Sequence, residues 1–292
     1  MAKIDVYQMV TDRIIAALEA GTPPWSRPWK DGQATGLPYN MTSMKPEEGQ
    51  SYTGINVPLL WSAGYSDSRW VTMNQARKAG IRIKSAEAKS WTPIVFWNMF
   101  DKERADGTVQ RIPFLRYYRV YNAEQCEDVP PVGSCSADPS VGHERCSSIL
   151  EKYGVKILHG QEGAWYKSHT DVVGMPSAEQ FHSEDHYWAT VLHEMVHSTG
   201  HKRRLDRDNF GKDKEAYAFE EMIAEIGSAF LCAKLGIDRP EVTQNHESYI
   251  SLWLDVLRED KRAVYRAAKA AQMASNLIME HEQGVESDAN EQ

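Results

Sequence analysis

The run His193-Glu194-Met195-Val196-His197 places two imidazoles four residues apart, with a carboxylate beside the first. On a helix that advances about 100° per residue, His193 and His197 lie one turn apart on one face, so both rings reach a single ion. Glu194 projects beside that face, where it acts on a water instead of binding the ion. The chemistry this set allows is hydrolysis. A zinc ion brings the pKa of a water towards ~7 and polarises a carbonyl, while a carboxylate takes the water's proton and hands it to a leaving amine. The competing reading is a solvated helix face that happens to carry His and Glu. A third ligand decides between them.

Catalytic zinc takes three protein ligands and keeps a position open. The extended form of the motif would put a further histidine at position 203, which is Arg203. His201, just past Gly200, is a secondary candidate. The better candidates are acidic: the next helical segment holds Glu215, Glu220, Glu221 and Glu225, with Phe219, Met222, Ile223, Ile226 and Phe230 as its buried side. Glu221 and Glu225 share a face, and like charges at that spacing weakly destabilise a helix unless a cation faces them. Glu221 is assigned as the third ligand, with Glu225 orienting a ligand imidazole; the reverse assignment is the alternative. Zn²⁺ is the expected ion, and Mn²⁺ or Co²⁺ suits the same donors.

The elements that must hold these residues are helical. Residues 183–199, 214–235 and a pair across 244–279 carry the helical period, after short strand candidates at 155–158, 164–168 and 171–173. Residues 164–167 are read as an edge strand on which an extended peptide lies by β-addition. Upstream, Tyr7, Val10, Ile14 and Leu18 form one stripe of a helix over 4–20, ended by Gly21 and Pro23-Pro24. Residues 25–56 are irregular, 70–80 reads as a short helix, and 81–83, 92–97 and 114–121 read as strands, with a hairpin tip at 102–107. Residues 126–148, rich in Pro, Ser, Gly, Asp and Glu, show neither period and are read as a linker. Cys126, Cys135, Cys146 and Cys232 are too few and too scattered for a disulfide framework or a cysteine zinc knuckle. The expectation is an α+β protein of two domains, 1–125 and 149–292, joined by 126–148.

Charge divides the same way. Through Gln125 there are 16 Lys and Arg against 12 Asp and Glu, whereas the remainder has 17 against 29. Six of the nine tryptophans lie in the first part and all ten histidines in the second, which points to different partners for the halves. No uncharged apolar run approaches the roughly 18–20 residues of a membrane span. The opening Met-Ala-Lys-Ile-Asp-Val puts an acid where a signal peptide is apolar, so a cytoplasmic protein is expected. Neither a GxxxxGK[ST] phosphate loop nor a GxSxG nucleophile turn occurs.

The histidine motif followed by Glu221-Met-Ile-Ala224-Glu225 resembles the gluzincin metallopeptidases, in which a Glu of the second helix completes the site. Asp171-Val-Val-Gly-Met-Pro176, Phe181, Tyr187, His193 through His201 and Arg204-Leu-Asp-Arg207 resemble the C-terminal domain of ArdC-type antirestriction proteins. Trp25-Ser-Arg-Pro-Trp29, Asn40, Tyr52-Thr-Gly-Ile-Asn56, Trp70 through Ala76, Gly80 and Tyr117 through Gln125 resemble that family's single-stranded-DNA-binding domain, shared with plasmid TraC primases. One departure is Ile83-Lys-Ser-Ala-Glu-Ala88, where the family usually has a Lys-Gly-Glu turn. The resemblance implies a plasmid- or phage-encoded protein that coats single-stranded DNA entering a host, as in conjugation, and protects it from restriction. It also implies a zincin-like domain. The alternative is an active metalloprotease that cleaves a host defence or regulatory protein, with the first half as a docking module.

Single-strand binding needs aromatic faces for bases and cations along the phosphates. Trp25, Arg27, Trp29 and Lys30 lie in the irregular stretch, followed by Tyr39, Tyr52, Trp61, Arg69 and Trp70. Asn40 and Asn56 bond either turns or bases. Against this stands the reading of each tryptophan as core, and Trp91 and Trp97 are assigned to the sheet core outright.

Overall fold

The computed structural model describes residues 4–25, 36–42, 51–103, 108–130, 139–207, 213–238 and 246–282. Arg27, Trp29, Lys30 and Cys135 lie outside them. Helix α1 (Val6–Glu19) is capped by Asp5, whose carboxylate accepts from Gln8 N, and it buries Val10, Ile14 and Leu18 as the stripe requires. There follow β1 (Tyr39–Asn40), α2 (Asn56–Trp61), β2 (Arg69–Thr72), α3 (Met73–Lys78), β3 (Arg82–Ile83), β4 (Thr92–Glu103), β5 (Val109–Asn122) and β6 (Cys126–Glu127). The expected helix over 70–80 is corrected at its start. Trp70 to Thr72 pair with Asn122 to Val120 as strand, and the Thr72/Gln75 capping box opens the helix only at Met73.

The first sheet has the order β1-β2-β5-β4. Its β4 and β5 form one long antiparallel hairpin, paired from Thr92↔Val120 to Glu103↔Val109. Strand β2 pairs with β5 only over Val120–Asn122. Beyond that point the hairpin continues as a two-stranded arm.

The linker reading is also corrected. Residues 126–127 pair with β3, and α4 (Pro139–Tyr153) takes up the stretch from Pro139 onward. Its buried positions are Gly142, Cys146, Ile149 and Tyr153, a helical stripe whose first two members are not counted as hydrophobic signal. A Cβ on Gly142 would meet the Leu235 carbonyl oxygen at 2.5 Å, so glycine is what permits the close approach.

A second sheet, of order β7-β9-β8, contains β7 (Lys156–Leu158), β8 (Trp165–Lys167) and β9 (Val172–Gly174), and leaves β8 at an edge. Helices α5 (Glu184–Ser198), α6 (Lys214–Leu235), α7 (His246–Glu259) and α8 (Ala263–Met279) complete the α+β fold. The halves share one hydrophobic core. Trp25 stands edge-on to Trp253, with ring centroids 5.1 Å apart, and Trp61 edge-on to Phe230 at 6.1 Å. Tyr265 donates to the Val6 carbonyl at 3.1 Å. Among the described residues no helix is long and apolar enough to cross a membrane.

Candidate metal centre and nucleic-acid groove

Helix α5 begins where Ser183 accepts from His186 N and carries Glu184 and Asp185 in its first turn. Helix α6 begins at Asp213, which caps Ala216 N, and ends in a left-handed Gly236. The two lie close because α6 carries Gly227 against Val196: a Cβ there would meet Val196 Cγ1 at 2.9 Å. This approach sets the glutamates of α6 opposite the imidazoles of α5.

His193 Nε2 and His197 Nε2 are 3.2 Å apart. Glu221 reaches both, with Oε2 3.7 Å from His193 Nε2 and Oε1 3.5 Å from His197 Nε2. Ligand atoms about 2.0–2.1 Å from a shared tetrahedral ion are ~3.3–3.4 Å from each other. The two imidazole nitrogens stand close to that spacing, and with one carboxylate oxygen of Glu221 the donor atoms all lie within 4.8 Å of one another, close enough to surround one divalent ion. Glu225 Oε1 lies on the far side of the His193 ring, 3.8 Å from Nδ1. His201 is not in this cluster; its Nδ1 lies 3.9 Å from Asp171 Oδ2.

The electrostatics separate the carboxylates. Glu194 is buried, and burial raises its pKa despite the nearby His193 and His197. Burial also works to raise Glu221, yet hydrogen bonds from His193 and His197 outweigh it and hold the carboxyl below its usual range. For His197 burial favours the neutral ring, but Glu220 and Glu221 overcome this and push it up to about 10.

Two features of the surroundings were not legible as function. Glu220, buried beside Glu221, receives Arg207 Nη2 at 2.5 Å and Arg207 Nε at 3.1 Å, and its Oε1 lies 3.5 Å from His197 Nδ1. Tyr217 and Tyr249, whose hydroxyls are 2.9 Å apart, flank Glu221. The signal for Glu220 is its place in the helix beside Glu221. Nothing in the sequence named its partner thirteen residues upstream. Nearby, Arg204 bridges Asp171 Oδ1 at 2.7 Å and the Ser198 carbonyl at 2.9 Å, tying the small sheet to the end of α5.

The nucleic-acid candidates divide differently. Trp25 (0% exposed) and Trp70 (2%) are core residues with no face open to a base. Asn56 spends both ends of its amide on Val95, donating to O at 2.9 Å and accepting from N at 2.7 Å. These three are corrections: burial removes them from any surface interface. Tyr52 is buried too, but with half-buried Asn40 it lines a groove of about 910 Å³ that also includes Met73, Phe96, Trp97 and Tyr118. Asn40 Oδ1 there accepts from Thr42 N and Oγ1. Trp97, assigned to the sheet core, is 60% exposed, and Phe96 and Tyr118 are 45% and 44% exposed. The reason is topological, since these residues lie on the arm beyond the reach of β2. Trp91 is half-buried, under the Arg119 guanidinium at 4.5 Å and stacked with Tyr117.

Residues 4–121 match the N-terminal domain of anti-restriction factor ArdC, and residues 144–270 match a zincin-like metallopeptidase family. The metal-free crystal structure of antirestriction protein ArdC from plasmid R388 matches with a TM-score of 0.79 and 36% identity, over 96% of this chain and 98% of that one. The chain belongs to the ArdC antirestriction family. The Mn(II)-bound structure of the R388 protein matches at a TM-score of 0.77 and 36% identity, over 97% of this chain and 100% of that one. An uncharacterized protein, y4eC, of Sinorhizobium fredii is 35% identical over 98% of this chain and 95% of its own length. A DNA primase TraC of Escherichia coli is 35% identical over 95% of this chain, which spans 27% of the primase. The zincin-like fold implies a metal ion, and His193, His197 and Glu221 form a cluster among the described residues that could hold one.

Proposed function

We propose that this chain is an antirestriction protein that binds single-stranded DNA along the arm of β4 and β5 and shields it from restriction. The carrying observation is the groove lined by exposed Phe96, Trp97 and Tyr118 together with Arg119. Each stacked base contributes roughly 1–3 kcal/mol without regard to sequence. Phosphate contacts add a salt-sensitive part, about 0.7 log units of affinity per log unit of salt for each contact. With an excess of only four basic residues through Gln125, stacking supplies most of the affinity. A labelled oligonucleotide titrated with the full chain at two salt concentrations tests this. Binding to single strands over duplex, weakened modestly by salt, is expected; no binding at low salt overturns it, and binding without preference for single strands favours a protein-docking role.

A metallopeptidase activity for the second domain rests on buried Glu194 beside the three-donor cluster. A divalent ion held by His193, His197 and Glu221 would supply Lewis acidity for a water and a carbonyl; Zn²⁺ is the expected ion and Mn²⁺ or Co²⁺ an alternative. Glu194, its pKa raised by burial, accepts a proton from water and releases it to the leaving amine. Glu225 orients His193 from the far side of its ring. Strand β8, at the edge of its sheet, offers its backbone to an extended peptide. Such a peptidase would act on a protein of the host's defence or regulation. Replacing Glu194 by Ala should lower peptide hydrolysis about 10²–10⁴-fold and leave oligonucleotide binding unchanged. Equal hydrolysis by the variant and the wild type would remove the peptidase.

A further inference from the structure

We propose that Arg207 and Glu220 form a buried charged pair whose task is to position His197 for metal binding. The proposal rests on the reading of His193, His197 and Glu221 as ligands. Both side chains are withdrawn from solvent, Arg207 at 9% and Glu220 at 3% exposure. The guanidinium meets the carboxylate with two nitrogens, Nη2 to Oε1 at 2.5 Å and Nε to Oε2 at 3.1 Å. Two further hydrogens go to the end of α5, with Nη1 donating to Thr199 Oγ1 at 2.6 Å and Nη2 to the Val196 carbonyl at 2.9 Å. Val196 and Thr199 bracket His197 in the chain. One rigid cation thus clamps the last turn of α5 to the carboxylate that faces His197 Nδ1 at 3.5 Å.

The placement argues for function over packing. A buried ion pair is at best even with apolar side chains of the same volume, so stability alone does not call for one. A carboxylate behind a ligand imidazole has a specific effect. It holds the proton on Nδ1, turns the lone pair of Nε2 towards the ion and fixes the ring's orientation. Arginine is suited to hold that carboxylate because its planar fork grips both oxygens in a fixed bidentate geometry and still has donors for the helix end, where an ammonium offers three donors with no such plane. The backbone returns Arg207 to this place through Asp206, at a φ of +48°, and through Arg207 N donating to the Gly200 carbonyl at 3.0 Å. The Arg204-Leu-Asp-Arg207 run thereby has a physical role: Arg204 ties α5 to the small sheet, and Arg207 ties it to the metal helix.

Mn²⁺ and Zn²⁺ titrations of the full chain against a chromophoric chelator test the proposal, with melting of the metal-free protein as the fold control. Glu220→Gln is expected to lose about 10–100-fold in metal affinity, and Arg207→Lys to lose affinity in the same direction. Unchanged affinity in Glu220→Gln overturns it, and so does a lowered melting temperature with affinity intact, which would mark a purely structural pair. Should Glu220→Gln not fold, Arg207→Lys decides alone, by loss or retention of affinity. His193→Ala and Glu221→Ala separate the two ideas. If they too bind metal as the wild type does, the ligand reading itself fails; if they lose the ion while Glu220→Gln and Arg207→Lys keep it, only the positioning role falls.

Discussion

The metal centre and the groove place chemistry in opposite surroundings. Around His193 and His197 nearly every polar atom is held by another: Glu221 by both imidazoles, Glu220 by Arg207, and the end of α5 by Arg204 and Arg207. On the arm, Phe96, Trp97 and Tyr118 are exposed on a two-stranded ribbon, Phe96 edge-on to Tyr118 and Trp97 edge-on to Tyr7. A site for an ion is built before the ion arrives, because 2 Å bonds tolerate little error. A surface for flexible single strands needs only flat faces in the open, since the strand adapts to them.

The sharpest way to break this contrast is to make the same change in each setting. Trp25→Ala empties a fully buried site against Trp253 and should cost about 3–5 kcal/mol of stability. Trp97→Ala, on the arm, should leave stability within about 0.5 kcal/mol while weakening oligonucleotide binding by about 1–3 kcal/mol. Urea unfolding and fluorescence titration of both variants measure this. Should Trp97→Ala unfold the protein, or Trp25→Ala weaken DNA binding with stability intact, the division between core and interface tryptophans would be reversed.

That pair also shows what a sequence exposes and what it hides. The grouping of His193, His197 and Glu221 is legible because it depends on local spacing: i, i+4 on one helix, and a carboxylate row on the next with an apolar side to bury. The helix at 214–235 was read to its bounds for the same reason. The groove depends instead on how far β2 runs beside β5, which no local pattern encodes, so Trp97 and Trp25 were each assigned the other's surroundings. Helix α4 escaped because its buried row begins with Gly142 and Cys146, where a close helix approach replaces large apolar side chains. Glu220 was visible as a residue but not as a partner, because Arg207 reaches it across a turn between helices.

A smaller effect separates the regions by pH. In the metal-free protein, burial opposes the charge on His197, but Glu220 and Glu221 prevail and push its pKa up to about 10. A histidine raised in the folded state adds stability that is fully present below its ordinary value of 6.5 and is lost as pH rises through about 10. Metal-free protein should therefore become easier to unfold in urea between pH 7 and pH ~9.5 through this group. An ion takes the neutral ring, so loading releases a proton and strengthens as pH rises; the loaded protein should lack this share of the loss. The Trp and Phe faces of the arm do not titrate, so their share of oligonucleotide binding should stay level across the same range. Parallel decline of metal-free and loaded proteins would mean that the carboxylates of α6 do not hold His197 charged, and the fixed network would then differ less from the open arm than its geometry indicates.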